Sequence, residues 1–390
     1  MRALITFQPG TGSFRPLVPV ARALADAGHE VAFASAASFR PQVEACGFEM
    51  FPAGIDWLNN DLMVAFPDAP PPGPARRPWL PQLWRVRTAR AMVPDLLEVA
   101  TTWKPDVFVR EPLEFGACLA GEILGLPHAV TGPLWFRRQM GITESHNEAR
   151  SIFGLPPDPE VTSPYRYLVL PTMPPSWVAA DEPVPPTAHF IGPRPFEGLA
   201  DGTDTAWSRR LGQRPVVHAT LGTTEVNRTT GLYEAIIDGL REEPGTLVVA
   251  VGDRRDSAEF GPQPPNVLIE QYVSHAALLP HCDVVLTHGG YGAIMACLSL
   301  GLPMVVLPVN ADQPRNAERC AELGVARVIG PEERTPEAIR AATQAVLGDR
   351  AYRANAERIR DEITAMPGQE LAVELLERLA RDRAPIVAAR

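Results

Sequence analysis

Short apolar runs alternate with amphipathic stretches along most of the chain. Ala3-Leu4-Ile5-Thr6-Phe7 and Glu30-Val31-Ala32-Phe33-Ala34 read as buried strands. Between them, Pro16 and Pro19 suit the first turn of a helix that runs to about Ala27 and stops at Gly28. Strand, helix and strand in that order imply a parallel sheet. The rhythm continues with a helix from about Leu83 to Thr102, a strand at Val107-Phe108-Val109 and a helix from Phe115 to Leu124. It returns in the second half with strands at Val216 to Thr220, Leu247 to Val251, Val267 to Ile269, Val284 to Leu286, Met304 to Leu307 and Val325 to Ile329. Helices near Pro336–Leu347, Ala351–Ala365 and Glu370–Ala380 close the chain. The fold class is α/β, with two Rossmann-like halves.

Two stretches break the pattern. Residues 53–85 form an irregular insert rich in proline and glycine, with Trp57, Trp79 and Trp84 close by. Such inserts are more often binding loops or lids than filler. Prolines also crowd between Leu170 and Pro195, which excludes a helix or central strand there. The expected division is therefore 1–200, 201–366 and a C-terminal helix at 367–390 that packs back on the first domain.

Composition narrows the class. A chain of 390 residues with 45% apolar and 21% charged positions holds two cores of ordinary size. A net charge of −10 argues against nucleic acid as partner. No run approaches the roughly 20 apolar residues of a membrane span, so a cytoplasmic protein is expected. The cysteines Cys46, Cys118, Cys282, Cys297 and Cys320 are scattered and read as buried free thiols, with no zinc site.

The chemistry centres on Leu286-Thr287-His288-Gly289-Gly290-Tyr291-Gly292-Ala293, followed by Gly301-Leu302-Pro303 and Ala311-Asp312-Gln313-Pro314. A buried strand runs into three glycines that open a helix. Glycines let an anion approach the backbone, and the free N–H groups of a helix start point at it. The neighbouring strand tips face the same crevice.

This ordered block resembles the donor signature of GT-B fold, family 1 glycosyltransferases, above all the bacterial enzymes that decorate macrolides, enediynes and aromatic polyketides. Pro9 to Val31, Val107 to Gly116 and Glu270 to Pro280 fit the same family, so the resemblance spans nearly the whole chain. It implies two Rossmann-like domains facing each other across a cleft. It also implies a nucleotide sugar held by Thr220, Gly222, Thr223, Tyr272, Val273, His288, Gly289, Gly290, Gly292, Ala293, Asp312 and Gln313, with no metal and no cofactor. Gly12, Phe14, Trp57, Phe66, Trp79 and Trp135 are expected on the side of a small hydrophobic acceptor. The assembly is expected to be a monomer or homodimer.

Several positions depart from the family. Ala296 stands where a glutamate often meets the ribose, and Ala293 where a hydroxyl residue often follows the last glycine; a dTDP-sugar is favoured over a UDP-sugar. Tyr272-Val273-Ser274-His275 replaces the usual aromatic-x-Pro-Gln. Ser13 occupies the position of the histidine that usually takes the acceptor's proton. A missing base costs about 10²–10⁴ in rate. Ser13, Glu111 and His146 are the catalytic candidates. Three alternatives stay open: an acceptor that needs little help, a non-catalytic sugar-nucleotide-binding partner protein, and a GT-B sugar-nucleotide epimerase. An NAD-dependent enzyme is disfavoured because the first loop lacks GxGxxG.

Overall fold

The computed structural model describes residues 1–57, 62–71, 76, 78–134, 142–194, 210–212, 214–222, 231–252 and 255–388. The chain divides into two compact units: Met1–Gly198 with Met366–Arg390, and Leu199–Ala365.

The first unit begins with β1 (Arg2–Thr6), α1 (Val18–Asp26), β2 (Glu30–Ser35) and β3 (Glu49–Pro52). It continues with α2 (Thr88–Trp103), β4 (Val107–Arg110), α3 (Gly116–Leu124), β5 (His128–Gly132), α4 (Ile142–Ile152) and β6 (Leu168–Pro171). All pairings are parallel, in the order β3-β2-β1-β4-β5-β6. The central strands β1 and β4 are apolar and buried on both faces, as a sheet covered by helices on each side requires. β6 was not expected, because Pro171 closes it. It is tolerated because β6 is an edge strand.

The second unit holds β7 (Val216–Thr220), α5 (Leu232–Leu240), β8 (Thr246–Ala250), β9 (Val267–Glu270) and β10 (Val284–Thr287). After these come α6 (Tyr291–Ser299), β11 (Met304–Val306), α7 (Gln313–Glu322), β12 (Ala326–Val328), α8 (Pro336–Gly348) and α9 (Arg350–Ala365). Its parallel sheet runs β12-β11-β10-β7-β8-β9. Counted from the first strand of each unit, both sheets have the order 3-2-1-4-5-6, the doubly wound Rossmann arrangement. The order reverses between β1 and β4 in one unit and between β7 and β10 in the other.

The last helix, α10 (Gln369–Asp382), belongs to the first unit. Ala372, Leu375, Leu376 and Leu379 recur at helical spacing and enter one core with Leu17, Val20, Ala21 and Leu24 around α1. No helix among the described residues is long and apolar enough to cross a membrane.

Candidate functional site

In the second unit the strand reversal places the ends of β7 and β10 side by side, with Thr220 paired to Thr287. β10 passes into His288-Gly289-Gly290, and Gly290 is the N-cap of α6 without any side chain capping it. Gly289 has φ +86°, and a Cβ there would lie 2.9 Å from Val306 Cγ1, so only glycine fits.

The His288 imidazole is wedged between two glycines. A Cβ on Gly222 would lie 2.7 Å from its Cε1, and one on Gly290 would lie 2.4 Å from its Nε2. Burial lowers its pKa to about 4, with His275 adding to the effect and the Thr220 carbonyl offsetting part of it. The ring is therefore neutral at pH 7.

Gly292 is exposed, and a Cβ on it would meet nothing within 4 Å. Packing does not explain a glycine at this place. Ala293 is half-buried beside it. At Gly292 the first turn of α6 thus faces open space, and an open helix start is the geometry of an anion site.

The loop after β11 is held against this turn. Asn316 Nδ2 donates to Gly289 O at 2.9 Å and to Asp312 Oδ2 at 2.8 Å. Asn316 is fully buried and was not singled out from the sequence; its place inside the Ala311-to-Ala317 run was the signal. Asp312 is exposed and makes no side-chain cap to α7. Ala311 before it adopts φ +53°, a conformation that costs a non-glycine residue roughly 1 kcal/mol.

Gln313 behaves differently from the sugar contact expected of it. It is buried, its Oε1 accepts from the N–H groups of Val309 (2.8 Å) and Asn310 (3.0 Å), and its Nε2 donates to Asn310 Oδ1 at 2.8 Å. Its amide shapes the loop. Tyr272 is 53% exposed beyond the end of β9, whereas the Val273 side chain is buried. Thr220 is buried and Gly222 half-buried with φ +74°. Thr223 lies outside the described residues.

In the first unit the ends of β1 and β4 carry acids. Glu111 is buried and accepts from Gln8 N at 3.3 Å and Leu113 N at 2.8 Å. Burial raises its pKa to about 7, the two backbone N–H groups oppose the rise, and the neighbouring Glu114 adds to it. Glu114 is also buried and raised by desolvation; Thr6 Oγ1 and the N–H groups of Gly116 and Ala117 bind it. The loop from β1 turns into a short helix, Thr11–Phe14, where Ser13 N donates to Gly10 O at 3.1 Å. Ser13 is half-buried, and Gly12 is exposed with open space around its Cα.

Three expectations on this unit give way to packing. Phe14 points into the core, with ring centroids 5.3 Å from Phe7 and 5.6 Å from Phe33, and is 4% exposed. Trp57 and Phe66 are buried in a satellite cluster with Leu83, against which Trp79 and Trp84 pack. Trp57 and Phe66 are covered by this packing, whereas Trp79 and Trp84 keep part of their surface open. His146 is 3% exposed, with Nε2 3.1 Å from both Asp158 Oδ2 and Ser163 Oγ, and Nδ1 3.4 Å from Arg85 Nη1. Burial and the Arg85 charge lower its pKa to about 4 against the pull of Asp158. A ring with both nitrogens engaged is not placed to take an acceptor's proton. Trp135 lies outside the described residues. Among the described residues no group of three or more His, Cys, Asp or Glu is arranged to hold a metal ion.

Residues 235–379 match the family model of the erythromycin biosynthesis protein CIII-like C-terminal domain. The chain is 28% identical over 442 residues to 4'-demethylrebeccamycin synthase of Lentzea aerocolonigenes, covering 97% of this chain and 99% of that protein. It is 28% identical to 10-deoxymethynolide desosaminyltransferase of Streptomyces venezuelae, covering 97% of each. Among solved structures, the glycosyltransferase SsfS6 of Streptomyces sp. SF2575, complexed with thymidine diphosphate, superposes with a TM-score of 0.77. That alignment has 25% identity and covers 97% of this chain and 99% of the other. The chain has the GT-B fold and is a glycosyltransferase by its similarity to these proteins along nearly its whole length. The relatives it resembles are bacterial natural-product glycosyltransferases, as the glycine-rich block and the N-terminal loop implied.

Proposed function

We propose that the protein transfers a sugar from a dTDP-linked donor to a small apolar natural-product acceptor, in one displacement with inversion at the anomeric carbon and without metal. The open start of α6 carries the reading. Exposed Gly292 at the start of α6 offers a diphosphate a preorganised bed, and donors already in place stabilise the charge that develops on the leaving group. His288, being neutral, acts as a dipole unless the bound diphosphate raises its pKa. Asp312, exposed next to the same turn, is the acceptor for sugar hydroxyls. The dTDP preference draws on the thymidine diphosphate bound by SsfS6. Ala296 supports it less than the sequence suggested, since it is buried at 5% exposure and does not leave an open gap beside a ribose.

On the acceptor side, Ser13 orients the acceptor hydroxyl, and Glu111 anchors the loop that carries Ser13 through Gln8 N. Positioning and leaving-group stabilisation then supply most of the acceleration. The test is incubation with dTDP- and UDP-sugars and a panel of aromatic acceptors, following nucleotide release and glycoside by mass spectrometry, and anomeric configuration by NMR. Transfer from dTDP-sugars with inverted product is expected. Tight dTDP binding with no transfer to any acceptor would favour a non-catalytic partner protein. Retention of configuration would refute the single displacement.

A further inference from the structure

The π-helical turn Leu83–Arg87, just before α2, holds a cation that the donor reading does not use. Arg85 is 6% exposed, and burial lowers its pKa to about 10, so it stays charged at neutral pH. Its Nη1 faces His146 Nδ1 at 3.4 Å and its Cζ lies 3.9 Å from the centre of the Phe115 ring. Among the described residues no carboxylate forms an ion pair with it, and Nε and Nη2 have no hydrogen-bond partner. The two other buried arginines of the unit have more partners, although Arg110 Nε is left without one. Arg150 grips Glu122 through Nη1 at 2.6 Å and Nη2 at 2.9 Å, and Arg110 donates to the carbonyls of Glu111, Pro112, Glu114 and Pro164. Desolvating a cation without an anion is strongly unfavourable. Asp158 stands only behind His146, so a direct anion at Arg85 would have to come from outside the chain.

Its orientation is built. Arginine can only donate, so His146 Nδ1 accepts and Nε2 carries the proton that goes to Asp158. Against the desolvation that would raise it, the N–H groups of Ser163 and Thr162 and the His146 contact hold the Asp158 carboxyl well below its usual range. Phe115 opens α3, His146 lies in the first half of α4, and the π-helical turn leads into α2. In a parallel α/β sheet these helix starts lie at the carboxyl edge of the strands, the edge that also carries Ser13 and Glu111.

We propose that Arg85 is a specificity-determining residue for the acceptor, selecting a flat apolar molecule that bears an ionised oxygen, and that Asp158 and His146 position it. The proposal rests on the glycosyltransferase reading and names its substrate class. It also bears on the absent histidine at position 13. An acceptor oxygen that has already lost its proton to solvent needs no base. It bonds to the anomeric carbon as the bond from that carbon to the diphosphate oxygen breaks, and the nucleoside diphosphate leaves with the electron pair.

The test titrates the wild type, Arg85→Met and Arg85→Lys with two matched pairs: anthraquinone-2-carboxylate against its methyl ester, and 2-hydroxyanthraquinone above its ionisation against 2-methoxyanthraquinone. dTDP is titrated in parallel. The wild type should bind the ionised member of at least one pair about 10–100-fold more tightly, the range of a charge-assisted hydrogen bond. The pair that discriminates tells carboxylate from phenolate. Arg85→Met should abolish the preference, Arg85→Lys should keep part of it, and dTDP affinity should not move. His146→Leu should weaken the same preference, with partial return in His146→Asn, which keeps an acceptor. No preference in the wild type, or equal weakening of both members of a pair in Arg85→Met, overturns the proposal and leaves Arg85 as a clamp on Phe115. Discrimination by Arg85 in a protein that ignores dTDP would uphold the anion site and sink the glycosyltransferase reading.

Discussion

Gly290 and Gly292 are two residues apart, yet a methyl group added to each meets opposite surroundings. At Gly292 the new Cβ finds nothing within 4 Å; at Gly290 it lies 2.4 Å from His288 Nε2 and 2.9 Å from Cε1. Gly292 sits in the first turn of α6, where alanine is favoured over glycine by up to about 0.5–1 kcal/mol. Gly292→Ala should therefore leave the melting temperature unchanged or raise it slightly. If the donor diphosphate lies over this turn, the same methyl occupies its space and separates a phosphate oxygen from the backbone. Loss of one hydrogen bond to a charged group is about 1.5–3 kcal/mol, or roughly a 10–100-fold rise in Kd. Gly290→Ala must displace the imidazole, so stability and dTDP affinity should fall together. Differential scanning fluorimetry and calorimetric titration with dTDP on the three proteins separate these outcomes. A Gly292→Ala protein that binds dTDP as tightly as the wild type refutes the assignment of the diphosphate to the start of α6.

The remaining predictions concern packing, pH and the absent base. Phe14→Ala removes a ring from the core of the first unit and should destabilise it by about 3–5 kcal/mol in urea unfolding; a protein with normal stability but altered acceptor preference would restore Phe14 to the acceptor side. Burial lowers four histidines from an ordinary 6.5: His128 and His218 to about 3, His146 and His288 to about 4. As pH falls below 6.5 the unfolded chain takes up protons that the folded chain refuses, so stability present above that pH is lost on acidification. Glu111, raised to about 7, works the other way, with stability present below 4.5 and lost as pH rises through 7. The histidines outnumber it, so near pH 5 the net slope is about two to three protons, of order 3 kcal/mol per pH unit. Urea midpoints should drop steeply between pH 6.5 and 5.5, and a flat or rising midpoint contradicts the buried neutral imidazoles. Ser13→His should leave unchanged or raise turnover with neutral hydroxyl acceptors, measured as glycoside formed per enzyme; complete loss on Ser13→Ala would show that the serine itself is required.

The two parallel sheets were legible because their strands are short apolar runs separated by helical periods, and that pattern does not depend on partners. β3 and β6 were missed for different reasons. β3 is only four residues long and half exposed, and the prolines around Pro171 read as a breaker although an edge strand accepts one. α4 was missed because its sequence, Ile142 to Ile152, is mostly polar; it holds His146 and Arg150 inward against Asp158 and Glu122, which inverts the usual periodic signal. The glycine turn at His288 was legible because its residue types have few other uses at a strand end. Exposure was not legible. Phe14, Trp57 and Phe66 look alike in a sequence whether they line a site or fill a core, and Gln313 looks like a ligand contact until its amide is seen bound to its own loop.

Two sheets with the same strand order each present a reversal point where such folds take up ligands, so topology alone does not say which unit holds the nucleotide. Electrostatics separates them. At the ends of β1 and β4 the first unit carries Glu111 and Glu114, both buried, both raised by desolvation, and both already binding the backbone N–H groups within reach. A diphosphate there would meet carboxylates and compete for occupied donors. At the ends of β7 and β10 the second unit carries a neutral imidazole, a glycine turn and a helix start opened by Gly290, with Asp312 the acid beside them, held by Asn316. The loop that bears Ser13 lies with the acids, where an anionic diphosphate gains nothing but a hydroxyl nucleophile can be oriented. If this division is right, a side chain of the first loop should matter to the acceptor and not to the donor. Ser13→Ala adds no charge, so dTDP affinity should stay within about twofold while acceptor glycosylation changes. A tenfold loss of dTDP affinity in Ser13→Ala, with none in Gly292→Ala, would reverse the assignment of the two units.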